Sequence, residues 1–245
     1  MVVSSAAVIW HDLECGAYAA DLPLWRELAM RSAAGGEPAR VLDVGAGTGR
    51  VALNLARAGH HVTALDLDAE LLDALRERIG EHEVETLCAD ARTFDLRGED
   101  FDLCLMPMQT VQLLGGSAAR TEFLRRARAH LRPGGLLAAS IITAVEPFDR
   151  AHGDPAPSPE VARVNGAIYE TRAVRVSVLQ ESVLIERERR IHGDGGPVRD
   201  VIELDRVTAY ELEREAIEAG LRPERARELR PTRDHVGSTV VILRA

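Results

Sequence analysis

The sequence contains no lysine, few aromatic residues and only three cysteines. All 30 cationic residues are arginine and 39 residues are acidic, which leaves a net charge of −9. A surplus of negative charge repels phosphate groups and argues against a protein that binds nucleic acid or a membrane surface. Cys15, Cys88 and Cys104 lack C-x-x-C spacing, which excludes a disulfide framework and a zinc site and favours a reducing compartment.

Long apolar runs are missing as well. A membrane-spanning helix needs about 18 or more consecutive apolar residues, and no such stretch occurs. The first ten residues carry no basic segment, and Asp12 and Glu14 follow at once, which is unlike a secretory signal. We therefore expect a cytoplasmic protein. The 245 residues are 46% hydrophobic, enough for one α/β domain with a modest insertion.

From about residue 40 to 142, short apolar runs alternate with longer helical patterns. This alternation is typical of βαβ units stacked on a parallel sheet. Helices are predicted over Arg50–Ala58, after the N-cap residue Asp68, after Ser117, and earlier from Asp21 with Pro23 in the first turn. The predicted strands are Val41–Val44, His61–Leu65, Val84–Cys88, Phe101–Met106 and Gly135–Ile142.

The pattern changes after residue 143. Residues 145–159 include four prolines and predict a surface loop. Three stretches between residues 174 and 207 alternate apolar with polar residues, which predicts an antiparallel meander inserted into the parallel core. A capping box from Thr208 to Glu211 then opens a helix that ends at Gly220, and Ser238–Leu243 predicts a closing strand.

The most informative segment is Val41–Arg50, where a strand leads through a glycine-rich turn into a helix. Such a turn lets the backbone approach a ligand and presents free N–H groups to it. Glycines occupy positions 45, 47 and 49, and Arg50 stands where a dinucleotide fingerprint needs its third glycine. Asp66, at the end of the second strand, is placed to accept both hydroxyls of a ribose.

These motifs resemble those of the class I S-adenosylmethionine-dependent methyltransferases of the small-molecule type. Asp43–Gly49 is similar to their first motif and Ala64–Asp66 to their second, while Cys88–Ala91 resembles the third. Phe101–Pro107 resembles the fourth strand and its exit, and Leu131–Gly135 the turn before the fifth strand. The resemblance implies an α/β fold, a Rossmann-like seven-stranded, mostly parallel sheet with a reversed last strand, plus an inserted antiparallel β meander.

The resemblance also predicts how the chain is organised. We expect residues 1–245 to form a single methyltransferase domain with residues 1–35 as an N-terminal helical lid. Residues 36–142 are expected to bind the cofactor, and residues 143–207 to form the loop and the antiparallel insertion. Residues 208–245 are expected to add the C-terminal helix and the strands that complete the sheet.

S-adenosylmethionine is the cofactor that the resemblance implies. The three glycines would pass under its methionine part, and Asp66 would bind its ribose. Leu67 would lie against the adenine, Asp90 with Ala91 would contact the adenine edge, and residues from Met106 to Thr110 would border the transferred methyl. The cofactor-binding residues expected are Asp43, Gly45, Ala46, Gly47, Gly49, Asp66, Leu67, Asp90, Ala91 and Met106.

Methyl transfer from a sulfonium is an in-line displacement that depends on alignment more than on strong acids or bases. The expected acceptor is a nitrogen or oxygen of a small molecule. Nucleic-acid amine methyltransferases carry an Asn/Asp-Pro-Pro-Tyr/Phe motif where this chain has Met106–Gln109, which argues against a base as acceptor. The alternatives are a non-catalytic binding protein on the same fold and a nicotinamide-dependent oxidoreductase. No metal is expected, and the meander allows a homodimer without requiring one.

Ligands gather at the carboxyl ends of parallel strands, and a reversed last strand places the turn at residues 231–237 at that end. His235 in this turn is the first candidate for a base, with Asp234 to orient it; an exposed histidine without a role is the alternative. Tyr18 resembles the aromatic residue of the lid in related enzymes and is the second catalytic candidate. The substrate-binding candidates are Gln109, His152, Tyr169 and Asp234, while Glu186–Arg190 is interpreted as a solvated strand face with charge pairs.

Overall fold

The computed structural model of the protein describes residues 5–33, 35–96, 98, 100–232 and 235–245. The helices are α1 (Ala6–His11), α2 (Leu22–Ser32), α3 (Arg50–Arg57), α4 (Ala69–Arg78), α5 (Ser117–Ala129) and α6 (Ala209–Glu218), with a π-helix at Asp12–Gly16 and 3-10 turns at Thr110–Leu113 and Arg150–His152. The strands are β1 (Arg40–Val44), β2 (His61–Asp66), β3 (Val84–Cys88), β4 (Phe101–Met106), β5 (Leu131–Ile141), β6 (Phe148–Asp149), β7 (Glu160–Val164), β8 (Ala167–Val178), β9 (Ser182–Ile191), β10 (Asp194–Asp205), β11 (Arg222–Pro223), β12 (Arg227–Leu229) and β13 (Ser238–Arg244).

The central sheet has the strand order β11-β13-β5-β4-β1-β2-β3, and β12 also pairs with β13. Strands β1 to β5 are parallel, whereas β13 is antiparallel to β5 and lies between β5 and β11. The predicted α/β fold with a mostly parallel sheet and a reversed last strand is therefore confirmed. The sheet has eight strands instead of the seven expected, because the three-residue β12 pairs with the start of β13.

Side chains alternate across the sheet and form a hydrophobic cluster on each face. One cluster joins Val41 and Leu103 to helices α2 and α3. The other joins Leu42, Cys104 and Met106 to helices α5 and α6. Both faces of the parallel strands are thus buried, as expected for a doubly covered sheet.

One local prediction needs correction. Strand β5 begins at Leu131 instead of Gly135, because a register shift against β4 accommodates Pro133 and the glycines within the strand. Helix α2 begins after Asp21 with Pro23 in its first turn, as predicted. The Asp21 carboxylate does not cap the helix; it binds the Trp25 indole N–H and the Arg50 guanidinium. A buried ion pair therefore takes the place of the cap.

The insertion is an antiparallel sheet in which β10, β9 and β8 are successive neighbours and β6 and β7 both pair with β8. The predicted meander corresponds to β8, β9 and β10. The predicted loop at residues 145–159 contains the short strand β6, and β7 after it was not predicted. Among the described residues, no helix is both long and apolar enough to cross a membrane.

The buried side chain of Gln112 ties the insertion to the core. Its amide nitrogen donates to the carbonyls of Ile142 and Asp205, and its oxygen accepts from the Ile142 N–H at 2.8 Å. Ile142 lies where the chain enters the insertion and Asp205 where it leaves. One glutamine therefore holds both ends of the insertion beside the carboxyl end of β4.

Candidate cofactor and acceptor site

The glycine turn after β1 is held against the end of β2. The N–H groups of Gly45 and Ala46 donate to the Leu65 carbonyl at 2.8 and 3.0 Å. Gly45 has a φ of 73°, in the left-handed region that favours glycine. A Cβ at this position would stand 2.4 Å from Cγ2 of Thr110, on the opposite wall. Only glycine therefore fits between β1 and the turn that follows β4.

Asp66 fixes the same turn through its carboxylate. One oxygen accepts the Gly47 N–H at 2.7 Å, and the other accepts the Asp68 N–H at 2.9 Å. The side chain also faces the cavity, next to Leu67, which is 71% exposed. Asp66, the predicted ribose ligand, and Leu67, the predicted adenine contact, thus lie side by side at the rim of the cavity. The Asp66 carboxylate has further lone pairs that can accept hydrogen bonds from hydroxyl groups.

Asp43, at the carboxyl end of β1, is buried beneath the glycine turn. Neither oxygen of its carboxylate makes a regular hydrogen bond to the described residues. Burial raises the pKa of Asp43 to about 7, and the charge of Arg50 and the amide of Ala52 oppose this rise only in part. A buried carboxyl group without a regular partner, facing a cavity, is suited to receive a cationic group of a ligand.

Asp90 and Ala91 follow β3 and line the cavity where the adenine edge was expected. The Asp90 carboxylate is occupied in this structure by the guanidinium of Arg92, with bonds of 2.5 to 3.1 Å. These bonds and the Arg92 N–H hold the pKa of Asp90 at about 2. Asp90 is therefore an anion.

The carboxyl end of β4 corrects one prediction. Met106 was expected to border the methyl, but its side chain is fully buried in the cluster on the α5 and α6 face. Met108 lines the cavity instead, with a φ of 54° that is strained for a non-glycine residue. Gln109 and Thr110 line the cavity beside it. The turn at Met108 points its side chain away from the side on which Met106 is buried, and nothing in the sequence indicates this turn.

The N-terminal segment covers the glycine turn. A Cβ on Gly47 would lie 2.3 Å from Nε2 of His11, so the imidazole rests directly on the backbone. His11 Nδ1 is 3.3 Å from the Thr48 hydroxyl, which donates to Asp12, and Asp12 pairs with Arg78 at 2.6 Å. Burial lowers the pKa of His11, so the ring is neutral at pH 7. The N-terminal segment thus lies where the lid was expected, but the contact between His11 and the glycine turn was not predicted.

The two catalytic candidates, Tyr18 and His235, lie together. Their rings are 4.6 Å apart at the centroids and inclined by 32°. Tyr18 is nearly buried, and burial raises the pKa of its hydroxyl, which bonds to Ser238. Arg50 lies 5.3 Å above the Tyr18 ring and pairs with Asp21. Both rings line the cavity. Asp234, expected to orient His235, lies outside the described residues.

A second charged group joins the lid to the insertion. Glu14 of the π-helix is 5% exposed at its side chain and binds Arg189 at 2.7 Å and Arg187 at 2.9 Å. Burial raises the pKa of Glu14, but the two guanidiniums outweigh it and hold the pKa below its usual value. Arg187 and Arg189 had been interpreted as part of a solvated face. Both line the cavity instead. Residues i and i+2 of a strand lie on the same face, so their spacing could have indicated that the two arginines act together.

The other substrate candidates have different positions. Gln109 lines the cavity. His152 is 80% exposed on a 3-10 turn and lies 3.2 Å from Asp149, so it belongs to the surface. Tyr169 packs edge-on against Trp10 at 5.1 Å, and Trp10 in turn lines the cavity. Tyr169 therefore supports the wall from behind.

The glycine turn, the lid and the insertion enclose one cavity of about 1460 Å³. Its far wall is the inner face of the insertion, with Phe148, Val176, Ile185 and Ile202. Within the described part of the chain, no group of three histidine, cysteine, aspartate or glutamate side chains could hold a metal ion. The cavity therefore has two parts. The part at the glycine turn resembles a nucleotide-binding site, and the part beneath the insertion, here called the chamber, is lined by both apolar and charged residues.

Such a turn, with an acidic residue after β2 and a reversed last strand, defines a Rossmann-like methyltransferase fold. Residues 41–135 match the Methyltransf_25 family, a methyltransferase domain. The chain is 36% identical over 118 residues to the cypemycin N-terminal methyltransferase of a Streptomyces species, covering 46% of each protein. It is 33% identical over 113 residues to the demethylmenaquinone methyltransferase of Clavibacter sepedonicus, covering 46% of this chain and 44% of that protein. The chain thus spans less than half the length of these relatives.

Solved structures extend the fold comparison to the insertion. An amino pentose methyltransferase from Micromonospora echinaspora, determined with S-adenosylmethionine bound, has a TM-score of 0.70 and 22% identity over 100% of this chain and 99% of that one. A sugar N-methyltransferase from a Streptoalloteichus species has a TM-score of 0.75 and 18% identity over 100% and 95%. These likenesses show the fold.

Residues 41–135 therefore belong to a methyltransferase domain of the class that the motifs predicted. The predicted methyltransferase class is confirmed at the level of this domain, and the predicted cofactor, S-adenosylmethionine, is part of the proposal below. The acceptor and the roles of individual residues are taken up as proposals below.

Proposed function

We propose that the protein transfers the methyl group of S-adenosylmethionine to an amine of a small polar molecule. The continuous cavity is the observation that carries this proposal. A pocket for one ligand has a volume of about 300–1,000 Å³, whereas this cavity measures about 1460 Å³. It has room for the cofactor at the glycine turn and an acceptor beneath the insertion.

The residues at the glycine turn fit the cofactor. Asp43, buried and without a regular hydrogen-bond partner, suits the ammonium of the methionine part. Asp66 would accept the ribose hydroxyls, Leu67 would lie against the adenine, and Asp90 with Ala91 would contact the adenine edge. These assignments keep the expected set, with Met108 in place of Met106 at the methyl side.

When bound, the cofactor supplies an activated methyl on a sulfonium. The chain's own task is to hold the acceptor in line with that methyl and to exclude water, and such positioning is worth effective molarities of about 10⁵ M or more. The strained turn at Met108 and the side chain of Gln109 are placed to align the acceptor. His11 and Trp10 of the lid close the cavity from above.

An amine is favoured over a hydroxyl by the charge of the chamber. Glu146, Glu160 and Glu228 line its wall and attract an ammonium group. The ammonium must give up a proton, which His235 could accept, before its nitrogen attacks the methyl. Two structural neighbours, an amino pentose methyltransferase and a sugar N-methyltransferase, support the same proposal. A hydroxyl acceptor is the second candidate, since His235 beside Tyr18 could take its proton.

Calorimetric titration with S-adenosylhomocysteine, with NADH in parallel, tests the cofactor. We expect micromolar binding of S-adenosylhomocysteine alone. Asp66→Ala should weaken this binding by more than about 1 kcal/mol, or about fivefold, since it removes a charge-assisted contact and frees the Gly47 N–H.

Asp73→Ala is the matched control, because Asp73 lies nearby on α4 with its side chain 71% exposed. Unchanged affinity in folded Asp66→Ala would remove the ribose role. Binding of NADH alone would instead indicate an oxidoreductase, and no binding of either ligand a non-catalytic protein.

His235→Gln tests the proton acceptor. We expect cofactor binding to persist and kcat with a panel of amino sugars to fall by about 10²-fold. His152→Gln, on an exposed histidine outside the cavity, serves as the control. Normal turnover of His235→Gln would mean that the histidine only packs against Tyr18.

A further inference from the structure

Asp43 is a buried carboxyl group that has no ion-pair partner among the described residues. It is 1% exposed, and its register partners, Ala64 on β2 and Leu105 on β4, are apolar and buried. Neither of its oxygens makes a regular hydrogen bond to the described part of the chain. Because an unpaired carboxylate is costly in such surroundings, the ligand-free protein favours the neutral, protonated form of Asp43.

The polar groups around Asp43 do not compensate for its charge. Arg50 is the cation whose charge acts on it, but two nitrogens of that guanidinium already donate to the two oxygens of Asp21, at 2.6 and 2.8 Å. The Cys104 thiol on β4 is neutral, because burial and the charge of Asp43 raise its pKa. Neither group therefore forms an ion pair with Asp43.

The ionisation of Asp43 is balanced near neutral pH. Burial raises the pKa of Asp43 to about 7. Of the charged side chains that act on it, Arg50 lowers the pKa, while Asp66 and Asp21 raise it. The carboxyl group also faces the cavity beneath the glycine turn. A cation that enters the cavity at this point can therefore change the charge of Asp43.

We propose that Asp43 gives up its proton to solvent when the ammonium of the cofactor binds beside it. This rests on the proposed function, which places the methionine part of the cofactor at the glycine turn. The step breaks one O–H bond: a neutral carboxyl group and an ammonium cation become a carboxylate–ammonium pair, and one proton passes to the buffer. Asp43 is thus neutral in the ligand-free site and charged in the occupied one.

The direction of the pH dependence follows from this order. Below about pH 7 most ligand-free molecules carry the proton, which must leave before the ion pair forms. Above about pH 8 the carboxylate is already present and no proton is lost. The affinity for S-adenosylhomocysteine, which carries the same ammonium, should therefore rise about tenfold from pH 6 to pH 8 and then level off.

Titration calorimetry in buffers that differ in ionisation enthalpy counts the protons released per ligand bound. For S-adenosylhomocysteine and the wild type we expect about 0.9 proton at pH 6 and about 0.1 at pH 8. Asp43→Asn should release almost none at either pH, and its affinity should change by less than about twofold between them. Asp73→Asn makes the same change at an exposed side chain on α4 and should behave as the wild type.

A second ligand tests the wild type without any variant. 5′-Methylthioadenosine has the adenosine and a thioether but no ammonium, so its binding at pH 6 should release almost no proton. The proposal would be overturned by S-adenosylhomocysteine binding at pH 6 without proton release, or by equal release with both ligands. Release that persists in folded Asp43→Asn would overturn it too, and would assign the proton to another group such as His11. No binding of S-adenosylhomocysteine at any pH would instead overturn the cofactor assignment itself.

Discussion

Gly45→Ala is expected to weaken S-adenosylhomocysteine binding at least about tenfold. A left-handed backbone costs roughly 1–2 kcal/mol for a residue with a Cβ, and φ at Gly45 is 73°. The new Cβ would also lie 2.4 Å from Cγ2 of Thr110, so the turn must move into the space that the cofactor needs. Titration calorimetry measures the affinity directly.

Two further variants separate the effect of backbone strain at a glycine from the effect of the contact between the new Cβ and Thr110. Gly59→Ala carries the same kind of strain, with a φ of 91°, but its Cβ would meet nothing within 4 Å and it lies away from the cavity. It should lose stability and keep its affinity. Thr110→Ser removes Cγ2, so the double variant with Gly45→Ala should regain part of the binding. Equal affinity of Gly45→Ala and the wild type would show that the turn does not contact the cofactor.

Glu14→Gln is expected to lower the free energy of unfolding by about 3 kcal/mol, the lower end of the range for breaking a buried ion pair. The lower end applies because the side chains of Arg187 and Arg189 are 20% and 24% exposed. The variant leaves two neighbouring guanidiniums without their shared carboxylate. Urea denaturation at pH 7 gives the free-energy difference.

The pH dependence supplies a second check. The pKa of Glu14 in the folded protein lies below its usual 4.5, so its contribution is complete above that pH and is lost as the pH falls through the folded value. The difference between wild type and Glu14→Gln should therefore shrink in acid. Glu181→Gln, at an exposed position, is the control. A constant difference from neutral to acid pH would rule out the charge as its cause.

Much of the cofactor side could be predicted because its signals are local. The glycine turn follows directly after β1, and Asp66, Leu67, Asp90 and Ala91 each stand at or next to the end of a strand. Parallel strands end at the same edge of the sheet, so their order in the sequence was enough to bring these residues together. The reversed last strand followed from the resemblance to the class.

Details that depend on the direction of a side chain were less predictable. Met106 and Met108 are two residues apart, and a regular strand would point both to one face. The left-handed backbone at Met108 breaks that alternation and sends only Met108 into the cavity. A hydrophobic sequence gives no sign of such a turn.

What the sequence by itself determined is the class of fold, the glycine turn and the strand ends at which most of the proposed cofactor residues lie, because these depend on periodicity and on neighbours along the chain. Tertiary structure alone decided the chamber beyond the cofactor. In this chamber Glu14 binds Arg189, which is 175 positions away in the sequence. The contact of His11 with Gly47 at the glycine turn is likewise a tertiary contact. Such contacts arise when the lid and the insertion pack against the core, and the gain from pairing buried charges exists only in that packed state.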